Sequence, residues 1–152
     1  MVQTAPQAIA AREDGTAMAD NALFEDPAGP IEQFSWGKFV ICGKAHFKGY
    51  EGRVGAGKDI RLVGEEATPW KERKGHRLKR SMITGVYDRD LDVLVIGNGV
   101  DGLVEVPHKV RRDIAAHGIP KLIVTPTPDA CQRYNQLHRE GKHVGLLAHG
   151  TC

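Results

Sequence analysis

The sequence predicts an α/β domain with two unlike halves: an antiparallel, strand-and-turn half first, then a half in the order β-α-β-α-β. Three observations point to it. Residues 31–63 break into short apolar runs punctuated by Gly43, Gly52, Gly55 and Gly57. From about residue 78 onward, β-branched runs alternate with helix-like stretches bounded by proline and glycine. The 152 residues, 41% of them hydrophobic, are enough for one domain with its own core.

In the first half, Phe39-Val40-Ile41-Cys42 reads as a strand and Gly43-Lys44 as a turn. Ala45 to Val54 and Ile60-Arg61-Leu62-Val63 follow as further strands. Connections this short favour antiparallel pairing, because a parallel crossover needs a dozen or more residues. In the second half, Leu78, Met82 and Val86 recur at a spacing of four, which predicts a short helix that Gly85 weakens. Residues 92–96 are the next strand. Pro107 can open a helix at its first position, where its missing N–H costs nothing. Val110, Ile114 and Ala115 line that helix, and Gly118 ends it. Leu122-Ile123-Val124 is a strand. Thr127-Pro128-Asp129 supplies an N-cap, a first-turn proline and an acid suited to the helix dipole. Ala130, Cys131, Tyr134, Leu137 and His138 form the inner stripe of that helix, Gly141 stops it, and Val144 to Leu147 is the last strand. Such an order implies parallel strands joined by crossovers.

Charge divides the chain differently. Residues 1–30 hold Glu13, Asp14, Asp20, Glu25 and Asp26 against Arg12, a net of −4. The whole chain is +2, so the remainder carries +6. Without apolar periodicity the first segment cannot bury enough surface to offset ordering entropy, so residues 1–28 are expected to be a disordered acidic tail before a domain at 29–152. No apolar run approaches the ~18 residues of a membrane span. The N-terminus has no signal core and is too acidic for a presequence. The cysteines, Cys42, Cys131 and Cys152, are scattered and odd in number, which fits free thiols in a reducing cytoplasm.

The stretch "LDVLVIGNGVDG", residues 91–102, is a formal G-x-G-x-x-G placed after a strand. In a dinucleotide fold those glycines open a helix that holds the pyrophosphate. Here a helix opening at Gly99 would meet Pro107 in its interior, at a cost of about 3 kcal/mol. The strand that follows ends in Val124-Thr125-Pro126 and carries no ribose-binding acid. The glycines therefore read as a loop at the C-terminal edge of a buried strand. That edge is where open α/β sheets place ligands, and Gly97-Asn98-Gly99 could offer backbone N–H groups to a small anion.

At this point "SWGKFVICGK" and "DVLVIGNGVDG…VPHKV…HGI…VTPTPDACQRYNQL…GKHVGLLAHGTC" resemble the MTH-nine-three-eight-like domain family. That family includes the adipogenesis-associated domain protein and a mitochondrial NADH dehydrogenase (complex I) assembly factor. The likeness runs from Ile31 to Cys152 and is carried by Gly97-x-Gly99, Val106-Pro107, His117-Gly118-Ile119, Tyr134-Asn135 and His149-x-Thr151-Cys152. Asn98 stands where the resemblance leads one to expect Thr or Arg. The resemblance implies a three-layer α/β fold with a central mixed sheet, helices and an extra β-hairpin layer. It implies no catalytic residues, because the family's biochemical activity is unassigned.

Three further constellations carry charge or nucleophiles. "KERKGHRLKR", residues 71–80, reads first as a solvated basic loop and second as a phosphate or nucleic-acid patch. Only Trp70 offers a stacking platform, so nucleic acid is not the expected partner. Among His143, His149 and Cys152, His149-x-x-Cys152 supplies two metal-ligand types where zinc needs three or four, and nothing in the spacing adds Cys42, Cys131 or His46. Glu65-Glu66 and Asp88, Asp90 and Asp92 read as turn and strand-flanking acids rather than an acid/base pair.

The resulting expectation is a cytoplasmic, non-enzymatic assembly or adaptor factor with a protein partner, no catalytic residues, no metal and no cofactor. The alternative is a small-anion or nucleotide-phosphate binder, with or without catalysis. It would use Gly97, Asn98 and Gly99 with Lys74, His76 and Lys79.

Overall fold

The computed structural model describes residues 22–47 and 59–152. Two sheets carry the fold. The first is a four-stranded antiparallel meander of β1 (Ala22–Glu25), β2 (Ile31–Ser35), β3 (Lys38–Ile41) and β4 (Lys44–Phe47). The second has five strands: β5 (Asp59–Val63), β6 (Glu66–Pro69), β7 (Val93–Gly97), β8 (Lys121–Thr125) and β9 (Val144–His149). Their order is β6-β5-β9-β7-β8. β7 pairs in parallel with both β8 and β9, and β5 runs antiparallel to β6 and β9, so the sheet is mixed. α1 (His108–Ala116) joins β7 to β8, and α2 (Thr127–Arg139) joins β8 to β9.

The period-2 pattern of β7 explains the layering. Val93 and Val95 face one core with Ile60, Leu62, Leu146, Ala148 and the inner face of α2. Phe34, Phe39, Ile31 and Ile41 of the meander close that core from outside. Leu94 and Ile96 face the opposite core, with Trp70, Leu78, Val86 and Val106 from the connections and Val110 and Ile114 of α1. The meander with α2, the central sheet, and α1 with its loops make the three layers that the family resemblance implied.

Two polar side chains of α2 lock the layers together. Buried Tyr134 donates its hydroxyl hydrogen toward Gly64 O at 2.6 Å and Val144 O at 3.2 Å. Buried Asn135 treats the meander as another strand edge: its Oδ1 accepts from Ile31 N at 3.0 Å and its Nδ2 donates to Ile31 O at 2.8 Å. The Tyr134-Asn135 pair is therefore structural, and a buried amide left without these partners would cost about 1–3 kcal/mol.

Several expectations need correction. Residues 22–28, expected in the acidic tail, are part of the fold. Ala22–Glu25 forms β1, and Asp26 accepts from Arg139 Nη1 at 2.8 Å and Asn135 Nδ2 at 3.0 Å. Arg139 and Asn135 hold the Asp26 carboxyl below its usual range against the opposing effect of burial. Residues 1–21 and most of the predicted strand Ala45 to Val54 lie outside the described residues, which retain only its start in β4. The predicted turn Gly43-Lys44 sits one residue earlier, at Cys42-Gly43, where both residues have positive φ. Glu66, expected in a turn, opens β6.

The expected helix across 78–86 is only a 3-10 turn at Arg80–Met82. Leu78, Met82 and Val86 are buried as the spacing required, but side chains have taken the carbonyls of this stretch. Trp70 Nε1 donates to Met82 O at 2.8 Å and Arg61 Nε to Thr84 O at 2.7 Å, while Gly85 sits at φ 73°.

The β1 correction gives a direct test. A variant lacking residues 1–28 is expected to melt several degrees below one lacking 1–21, by circular dichroism. It loses an edge strand and leaves Asn135 and Arg139 short of a partner. Equal melting temperatures would show that β1 and Asp26 add nothing.

Candidate functional site

The C-terminal ends of β7, β8 and β9 lie side by side, and the chain's last residues fold across them. Val100 N donates to Thr151 O at 2.6 Å, Leu103 N to Cys152 O at 3.3 Å, and Gly37 N to Gly150 O at 2.7 Å. The segment Gly150–Cys152 is thus strapped between the loop after β7 and the β2–β3 turn.

The glycine turn serves this strap. Asn98 N donates to Thr125 O at 3.0 Å and Gly99 N to Thr127 Oγ1 at 3.0 Å, so both amides are used inside the protein. Gly97 pairs with Thr125 and Ala148 as the last residue of β7. Thr127, expected to cap α2, is instead its first residue behind Pro126, and its side chain makes no cap bond. Its hydroxyl hydrogen goes to His149 O at 2.7 Å, which joins the turn to β9. No helix opens at the glycines; α1 starts at His108, behind Pro107.

The candidate basic residues separate. The segment 76–78 pairs with the loop after β7, Glu105 N donating to His76 O at 2.7 Å and Leu78 N to Glu105 O at 2.9 Å. That places His76 in a depression of about 570 Å³ with Asn98, Leu103 and Arg111. Asn98 Oδ1 is buried there without a partner among the described residues. Lys79 lines a different groove of about 720 Å³ with Arg77, Arg80, Lys109 and Tyr87. Lys74 is exposed and lines neither.

Beside the strap lies a constellation whose Asp59 and Arg73, and the arrival of His76 beside His149 and Cys152, sequence reasoning missed. Asp59, opposite His149 in the β5–β9 pairing, is buried. Its Oδ1 accepts from His149 Nδ1 at 2.8 Å and Gly150 N at 3.1 Å, and its Oδ2 from Arg73 Nε at 2.6 Å. Burial alone would raise the Asp59 carboxyl, but the hydrogen bonds and charges of His149 and Arg73 outweigh it and hold Asp59 below its usual range. An ionised Asp59 only accepts, so His149 Nδ1 carries a hydrogen toward it and Nε2 is the ring nitrogen turned away from Asp59. Thr151 Oγ1 lies 3.2 Å from that Nε2. Cys152 Sγ lies 3.4 Å from His76 Nε2. Ligand atoms of His76, His149 and Cys152 all fall within 4.8 Å of one another.

The sequence offered one signal for this centre. An acid opens the apolar run Asp59–Val63 and a histidine closes the run Val144–His149, and polar residues at facing ends of buried strands need each other. His76 joins them through a contact 76 residues long that no local pattern encodes. The thiols considered with His149 do not join. Cys131 is fully buried in the core, where burial pushes its pKa up, and Cys42 is exposed in the β3–β4 turn.

Comparison with known proteins places the chain. A family model described as a protein of unknown function, DUF498/DUF598, matches residues 31–149. Among solved structures, the chain is similar to a conserved hypothetical protein from Pyrococcus horikoshii OT3, at 20% identity and TM-score 0.61 over 80% of this chain and 98% of that one. It is similar to MT938 at 19% identity and TM-score 0.61, over 80% and 97% of the two chains. A structure described as an outer membrane protein from Bartonella henselae matches at 21% identity and TM-score 0.65, over 81% and 95%. At these identities the solved structures speak for the fold. No helix among the described residues is long and apolar enough to cross a membrane. The match over residues 31–149, with the shared fold of MT938, makes the chain a member of the DUF498/DUF598 family of unknown activity, of the MTH-nine-three-eight-like fold.

Proposed function

We propose that this protein is a non-enzymatic adaptor or assembly factor that binds another protein through the face around its C-terminal strap. The observation that carries this is a pair of exposed apolar side chains. Trp36 is 57% and Leu103 54% exposed. They belong to separate loops, and each loop is hydrogen-bonded to the same three-residue segment, through Gly37 N to Gly150 O and through Leu103 N to Cys152 O. Tryptophan is the residue type most enriched among residues that dominate binding energy. The Asp59 carboxylate is engaged with His149, Gly150 and Arg73 rather than offered to a substrate. By analogy with the complex I assembly factor of the resembling family, NADH dehydrogenase subunits are the first partners to test.

A second reading, a small-anion or nucleotide-phosphate binder, draws on the groove lined by Arg77, Lys79, Arg80 and Lys109. Arg77 is paired with Glu105 at 2.7 Å and Asp113 lines the same groove, so Lys79, Arg80 and Lys109 supply the charge for an anion, which the occupied amides of the glycine turn do not.

The test compares the wild-type chain with a Trp36→Ser/Leu103→Ser variant as bait against NADH dehydrogenase subunits. Recovery is expected to fall by about tenfold or more, the loss of one hot-spot residue, with the melting temperature unchanged. Equal recovery by both baits, or no recovery with wild type, overturns the adaptor reading. Phosphate shifting the amide signals of residues 77–80 and Lys109, and losing that effect in added salt, would favour the anion binder instead.

A further inference from the structure

We propose that His76, His149 and Cys152 form a binding site for a zinc-class divalent cation, in which Asp59 and Arg73 fix one ligand from behind. The site is independent of the adaptor reading and uses neither Trp36 nor Leu103.

Ligand chemistry is the first support. Two imidazoles and a thiol suit a borderline-soft ion such as Zn²⁺, and three protein ligands with an open position filled by water is a recurrent zinc arrangement. Spacing is the second. With Zn–N near 2.0–2.1 Å and Zn–S near 2.3 Å, ligand atoms around a tetrahedral ion stand roughly 3.3–3.6 Å apart. His76 Nε2 and Cys152 Sγ are already 3.4 Å apart, and all three ligand atoms lie within 4.8 Å. Small rotations bridge the remainder, and the two partners of His149 can make them: His76 is exposed and Cys152 half-buried.

The support behind His149 is the independent observation. A metal-bound histidine usually donates its other N–H to a carboxylate, which fixes its tautomer and orientation. Here Asp59 Oδ1 takes the Nδ1 hydrogen at 2.8 Å, and Asp59 is itself held by Arg73 at 2.6 Å. The fixed histidine is buried in β9, while the two adjustable ligands come from the surface. Thr151, now 3.2 Å from His149 Nε2, gives up that contact when the ion takes the lone pair. On binding, the Cys152 S–H proton leaves to solvent as the sulfur–metal bond forms, so affinity rises with pH.

The experiment uses the full reduced chain, titrated with Zn²⁺ by calorimetry and with Co²⁺ by absorption. One ion per chain is expected, with a thiolate-to-cobalt charge-transfer band and the intense visible bands of a tetrahedral centre. Cys152→Ser should abolish the charge-transfer band. His76→Ala, an exposed position, should weaken Zn²⁺ binding by about tenfold or more, and Cys42→Ser should change nothing. Asp59→Asn, which acts through His149, should weaken binding by about 10–100-fold and perturb the cobalt spectrum. The Trp36→Ser/Leu103→Ser variant should bind the ion like wild type, which separates failure of this site from failure of the adaptor face. Absence of binding at millimolar metal, a charge-transfer band that survives Cys152→Ser or follows Cys42, or unchanged affinity in His76→Ala overturns the site.

Discussion

Asp59→Ala is expected to cost about 3–5 kcal/mol of stability, the range for breaking a buried ion pair by removing one partner. The side chains of Asp59 and Arg73 are 7% and 8% exposed, so deletion of the carboxylate leaves a largely buried guanidinium without its counter-charge, with Gly75 O as its remaining acceptor. It also leaves His149 Nδ1 and Gly150 N without their acceptor. For a domain of this size the loss corresponds to a fall in melting temperature on the order of 10 °C. Asp59→Asn should cost less, since its amide oxygen still accepts from Gly150 N and His149, but Arg73 stays uncompensated. The pH dependence has a definite sign. Asp59 has a folded pKa below its unfolded value, near 3.9, so its stabilisation is complete above that value. As pH falls below about 4 toward the folded pKa, that stabilisation is lost. Urea unfolding of wild type and Asp59→Ala should therefore show a constant gap near neutral pH that narrows below pH ~4. A gap under about 1 kcal/mol at pH 7 would place the ion pair among those of little net worth, and a gap that widens in acid would reverse the sign.

That prediction rests on a contact the sequence could not announce, and the reason is distance along the chain. What was legible was local. β7, β8, β9 and both helices follow from apolar runs bounded by Pro107, Gly118, Pro128 and Gly141, because their geometry is set within a dozen residues. The 78–86 stretch misled because burial and helical spacing coincided. Its backbone is tied instead by Trp70 and by Arg61, a residue of β5. β1 was illegible because "ALFE" offers two large apolar residues and draws its stability from β2, while the turn after it relies on Asn135 and Arg139, more than a hundred residues away. Thr127 has the composition of a cap and the role of a clamp, for the same reason: its partners, Gly99 and His149, come from other elements. In the candidate centre the histidine and cysteine at the chain's end were visible. Asp59, Arg73 and the arrival of His76 depend on strand pairing that only the fold supplies.

Gly99→Ala is expected to be the most damaging glycine substitution in the turn, at about 2–4 kcal/mol, because two costs add. Gly99 has φ 106°, where a side chain is strained whatever the space around it. A Cβ there would also overlap the carbonyl carbon and oxygen of Cys152 and approach Thr151 O at 3.2 Å. These are backbone atoms of a strap held by Val100 N and Leu103 N, so no side-chain rotation relieves the overlap. Two other glycines separate the costs. Gly118 has φ 90° and nothing within 4 Å of the place an added methyl would occupy, so Gly118→Ala should show the strain alone, about 1 kcal/mol. Gly97 has no positive φ, but its Cβ would sit 2.9 Å from Thr127 Oγ1 and 3.2 Å from Ala130 Cβ, so Gly97→Ala should show overpacking against α2, about 1–3 kcal/mol. Urea unfolding of the three variants tests the ordering, with Gly99→Ala falling furthest. If the strap yields instead of the turn, the loss will be smaller but the amide signals of Thr151 and Cys152 will move, and cobalt binding through Cys152 will weaken with them. Gly99→Ala with wild-type stability and unmoved signals at Thr151 and Cys152 would mean that the strap does not rest on the glycine turn at all.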